Sequence, residues 1–106
     1  SDSEQVKVTV KGKRLQQRKK EQQRIVASVM EPAFARIAEL YAERSGDALI
    51  DATTRWVGMQ YDYECYLWEA ETGREREKIV DELKSEMNMA LAAEVEIASH
   101  AGKVEA

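Results

Sequence analysis

Residues 47–71 read DALIDATTRWVGMQYDYECYLWEAE, and this stretch decides how the rest of the chain must be arranged. Laid out at about 100° per residue, Leu49, Ala52, Trp56, Tyr63 and Leu67 share one face of a helix. Ile50, Val57, Tyr61, Cys65 and Trp68 share a second face, rotated by about 120° from the first. Asp51, Arg55, Asp62 and Glu69 mark the polar stripe that remains. A helix apolar over most of its circumference has to be covered on two sides. The pattern therefore predicts a central helix, with a homodimer partner covering whichever face the chain's own helices leave bare.

Downstream, Thr72-Gly73-Arg74-Glu75 reads as a capping box, Thr72 capping the next helix while Glu75 reaches back. That helix, residues 73–99, gathers Ile79, Val80, Leu83, Met87, Ala90, Leu91, Ile97 and Ala98 on one side. The short link makes it an antiparallel hairpin with the central helix, and residues 100–106 are expected to fray. Upstream, Ser45-Gly46-Asp47 ends the preceding segment, Gly46 being suited to a left-handed terminus and Asp47 to capping the central helix. From Lys13 to Arg44 a single apolar stripe carries Leu15, Val26, Met30, Ala33, Ile37, Leu40 and Tyr41. Its phase survives Pro32, so the segment is either one helix kinked there or two helices meeting near Met30 and Glu31.

Val6, Val8 and Val10 alternate with Lys7, Thr9 and Lys11, the two-residue period of a β-strand. A lone strand cannot satisfy its own backbone groups. It would pair with its copy in a dimer, add to a partner's sheet, or remain an extended tail. The expected fold is thus all-α: a short N-terminal strand or extended arm, then three helices, the last two a hairpin, dimerising as a helical bundle.

Charge divides the chain more sharply than hydropathy does. Residues 11–24 hold seven basic side chains against one acid, and residues 25–106 hold eight Lys/Arg against seventeen Asp/Glu. The net charge of −4 conceals a cationic arm (residues 1–24) joined to an anionic helical body (residues 25–106). A block of like charge is either solvated or paired with a polyanion. Candidates for binding nucleic acid are Lys7, Lys11, Lys13, Arg14, Arg18, Lys19, Lys20 and Arg24. Lys and Arg neutralise phosphates, and the interleaved glutamines can also reach base edges. The rival readings are a solvated helix end and an acidic protein partner. The arm contains no aromatic residue, which argues against base stacking.

Five of the seven aromatic residues, Trp56, Tyr61, Tyr63, Tyr66 and Trp68, crowd into the central helix. They are candidates for a dimer or partner interface, with ordinary core packing and a ligand pocket as the alternatives. Glu94 falls within the apolar stripe of the last helix, where it must reach water or pair, with Arg44 or Arg76 as candidates.

Catalytic chemistry finds no foothold. His100 is the only histidine, and with Glu96 it supplies two weak donors at helical spacing, too few for a metal site. Gly12-Lys13 lacks the rest of a phosphate-binding loop. The expectation is a non-enzyme with no cofactor and no metal. Cys65 is alone, so no intrachain disulfide forms, and no apolar run is long enough to cross a bilayer. An intracellular, cytoplasmic setting is the expectation.

The alternating Val6–Val10 segment resembles the N-terminal strand of ribbon-helix-helix DNA-binding proteins, and residues 34–57 resemble their two-helix unit. The resemblance implies a dimeric strand pair that presents Lys7, Thr9 and Lys11 to the bases. About twenty highly charged residues separate the two parts, where that family uses a very short link. The functional expectation is a small DNA- or RNA-binding protein, regulatory or accessory, of the kind phages and mobile elements encode. The alternative is a helical protein–protein interaction module, an adaptor or inhibitor acting through the aromatic helix or the acidic surface.

Overall fold

The computed structural model describes residues 2–102, with side chains from Thr9 onward. It consists of three α-helices, α1 (Asp2–Leu40), α2 (Gly46–Glu69) and α3 (Gly73–His100), each packed against the other two. The α2 helix is not central, since each helix packs against the other two and its second apolar face stays exposed at Ile50, Val57, Tyr61 and Trp68, but the helical body and the α2–α3 hairpin agree with the reading above.

The N-terminal strand does not. Residues 6–10 lie inside α1, a single helix of 39 residues. A two-residue alternation is a local preference, and a strand requires a neighbour that the described residues do not supply. Residues 11–23 are rich in Lys, Arg and Gln, all good helix formers. Once a helix is nucleated in the packed part of α1, each added residue gains a hydrogen bond. The strand pair implied by the ribbon-helix-helix resemblance is therefore absent from the described residues.

The α1 helix runs unbroken through Pro32, so the segment is one helix and not two. Pro32 deprives the Ser28 carbonyl of its usual donor, but both residues lie on the exposed side, where water can take the bond. Val26, Met30, Ala33, Ile37 and Tyr41 form the buried stripe of this segment. They meet Ala52, Trp56, Tyr63 and Leu67 from α2, and Leu83, Met87 and Ala98 from α3. Trp56 is the largest fully buried side chain, and Phe34 packs edge-on against it at 6.4 Å between ring centroids.

The helix ends are satisfied locally. Ser45, not Asp47, caps α2: its hydroxyl accepts from the Ala48 amide at 3.3 Å, leaving Asp47 in the first turn, where its charge opposes the helix dipole favourably. Gly46 simply begins α2, and no described glycine has a positive φ. Thr72 caps α3 by accepting from Glu75 N at 3.1 Å. The Glu75 carboxylate reaches back to the Glu71 amide at 2.8 Å, one residue beyond the position the capping box assigns. The segment after α3 does not fray at once. Ala101 O accepts from Arg44 and Gly102 O from Ser45 N, which ties this end to the α1–α2 turn, while residues 103–106 lie outside the described part.

The α1 helix is longer than the bundle. At about 1.5 Å per residue its 39 residues span about 58 Å, against about 36 Å for the 24 of α2. The overhang gives the molecule its long axis of 67 Å.

Candidate functional site

The packed part of α1 stops near Arg18. This side chain donates to the Trp68 carbonyl at 3.0 Å and to the Ala70 carbonyl at 3.3 Å. Its guanidinium also stands 5.0 Å from the centre of the Trp68 ring. A cation at these carbonyls meets the negative end of the α2 dipole, and its stacking on the indole adds a cation–π contact. Arg18 is thus bound to its own body. Lys19, the next residue, borders a groove between α1 and α2, where its charge acts on Glu64. Partial burial raises the Glu64 carboxyl above its ordinary pKa, and Lys19 offsets part of that rise.

The remaining predicted cations are differently placed. Lys11, Lys13, Arg14, Lys20 and Arg24 are exposed, and none forms an ion pair among the described residues. Lys13, Gln17, Lys20 and Arg24 follow one side of α1, at helical spacings of four, three and four, while Lys11, Arg14 and Arg18 follow a neighbouring side. The Lys7 side chain lies outside the described part. The division between arm and body drawn at residue 24 falls in the middle of α1. The helix already packs at Gln22, and only the residues before Arg18 extend past the bundle.

The aromatic set also divides. Trp56 and Tyr63 are inside the chain's own core and unavailable to a partner, Tyr63 donating to Glu86 at 2.5 Å across the hairpin. Tyr61, Tyr66 and Trp68 face outward. Tyr61 is 66% exposed and Ile50 62%, and with Val57 and Trp68 they mark the second apolar face of α2, which α3 leaves bare and α1 meets only at Trp68, through Arg18.

A polar cluster in the core was not anticipated in this form. Glu94 is only 3% exposed. Its Oε1 accepts from Arg55 Nε at 2.8 Å and Trp56 Nε1 at 3.3 Å, and its Oε2 from Arg55 at 2.9 Å and Tyr41 Oη at 2.5 Å. Its partner is therefore Arg55, neither Arg44 nor Arg76. The forked bond from Arg55 holds the Glu94 carboxyl below its ordinary pKa despite burial. Burial, reinforced by Glu94, pushes the Tyr41 hydroxyl up to about 12. Every lone pair of this carboxylate that matters is spoken for, so the cluster locks three helices together and is not a vacant acid. His100, by contrast, is exposed, 4.0 Å from Glu96.

Sequence reading also missed Gln22, which is 5% exposed and stands on the core line of α1, between Leu15 and Val26. Its seven-residue distance from Leu15 and four-residue distance from Val26 were the available signal.

Comparison with protein-family models, with curated proteins and with solved structures finds no match to this chain.

Proposed function

We propose that this is a small nucleic-acid-binding protein, regulatory or accessory, which lays the N-terminal part of α1 against a phosphate backbone. The observation that carries the reading is the set Lys11, Lys13, Arg14, Lys20 and Arg24, all exposed and without ion pairs among the described residues. The first three stand on a stretch of helix that has left its own bundle. A helix about 10–12 Å across matches a major groove about 12 Å wide, so the overhang can enter it end-on or along its side. The anionic body repels a polyanion and confines contact to this end of the molecule.

The test is a mobility shift at two salt concentrations. Each neutralised phosphate steepens the log–log salt dependence by about 0.9. The variant K13Q/R14Q/K20Q/R24Q is expected to lose most of its affinity and to flatten that slope, with unchanged helicity by circular dichroism. Absence of binding at low salt, or undiminished binding by the variant, rejects the reading.

A second reading is favoured by the outward Tyr61, Tyr66 and Trp68: an adaptor or inhibitor that docks a partner protein on α2. Recovery of one stoichiometric protein partner from nuclease-treated lysate, with no nucleic acid bound, would favour it.

A further inference from the structure

The second apolar face of α2 runs from Ile50 to Trp68, nineteen residues or about 27 Å of helix. At its C-terminal end it opens into the groove shared with α1, about 510 Å³ in volume. Three features of this surface bear on what covers it. First, it carries both signs of charge, Lys19 on the α1 side and Glu64 and Glu69 on the α2 side. A copy related by a two-fold axis would set each Lys19 against the other chain's carboxylates, the self-complementarity an isologous contact requires. Second, the Gln22 amide borders the groove almost buried, without a side-chain hydrogen bond to another described residue. Its polar atoms keep a little exposure, since among the described residues no fully buried side-chain N or O lacks a partner. An amide offers one donor set and one acceptor, and a second copy brings the complementary pair in Gln22 and Gln23. Third, Leu15 stands one turn before Lys19 on the same line of α1 and is 45% exposed, because its own bundle has ended.

We infer that this surface, the outward face of α2 together with the Gln22 groove and the Leu15 line of α1, receives a second copy of the chain in an antiparallel, two-fold arrangement. Lys13, Lys20 and Arg24 point away from it, so the dimer would present two cationic helices at once. The use made of those two helices rests on the proposed function; the dimer itself does not.

Light scattering over a concentration series tests the inference, read against V57E/Y61E. Both positions are exposed, so the variant keeps its fold, which circular dichroism checks. The wild-type chain is expected at twice its 12.1 kDa and the variant at that single mass. A wild-type chain that stays monomeric near about 100 µM, or a variant that still dimerises, overturns the inference, and monomeric wild type leaves the face to a foreign protein. A dimer that binds no nucleic acid sinks only the proposed function, and a monomer that binds it sinks only the dimer.

Discussion

The two halves of α1 have the same backbone and opposite reasons for it. From Gln22 to Tyr41 the helix is held by a stripe of buried side chains, while from Asp2 to Gln17 it is held by propensity and by continuation from the packed half. Helicity on one side of Arg18 is a consequence of packing. On the other side it is a way of displaying charge at fixed spacing. A sequence can therefore be uniformly helical and still divide into a structural and a presenting region.

The strongest way to break the contrast is to truncate equivalent positions on either side. Met30→Ala should cost about 2–5 kcal/mol of stability, since it empties a fully buried site. Leu15→Ala, in the half that no core covers, should stay within about 0.5 kcal/mol in monomeric protein. Urea denaturation of both variants checks this, and equal effects would mean the overhang is packed after all.

The cluster at Glu94 sharpens the contrast, because its charges are satisfied inside the chain, while Lys11, Lys13 and Arg14 of the overhang form no ion pair among the described residues. Arg55→Ala leaves a buried carboxylate without its cation and should cost about 3 kcal/mol at pH 7, the low end for a broken buried pair because Arg55 is partly exposed. The sign with pH follows from the direction of each shift. In the wild type, Glu94 has a lowered pKa, so its contribution is complete above the ordinary carboxylate range and is lost as pH falls through it. In Arg55→Ala the carboxyl favours its proton, and the deficit relative to wild type should shrink between pH 7 and pH 4. At the alkaline end, Tyr41 stabilises fully below about pH 10 and loses that contribution as pH rises toward 12. Denaturation midpoints at pH 4, 7 and 11 measure all three regimes. A deficit independent of pH would assign the effect of Arg55 to packing alone.

The most local effect sits at Gly12. A Cβ there would meet nothing within 4 Å, so Gly12→Ala should firm the overhang by up to about 1 kcal/mol of local helix stability without changing the global melting temperature. Amide exchange around residues 9–16 reports it, and a shift of the global transition would contradict the division at Arg18.

What could be read in advance follows the range of the interaction. The three helices and their hairpin came from periodicity and caps, which operate over three or four residues, and the capping of α3 by Thr72 was legible, although the Glu75 carboxylate reaches Glu71 and not Thr72. The partner of Glu94 was not, because Arg55 is 39 residues away and looked like part of a solvated stripe. The alternation of Val6, Val8 and Val10 misled for the opposite reason: it is local and unambiguous, but a strand is decided by a neighbour. Charge segregation was visible at once. That Arg18 and Lys19 are engaged by the chain's own α2 depended on where the bundle ends, which no local pattern reports.

The Arg44 and Ser45 contacts to Ala101 and Gly102 fix the exit of the polypeptide at the pole opposite the cationic overhang. A fluorophore or affinity handle joined after Gly102 would thus sit about the length of α2 from Arg18, and farther still from Lys11, Lys13 and Arg14. Immobilising the protein by that end leaves its charged tip free to sample solution, whereas a handle at the other terminus would obstruct it.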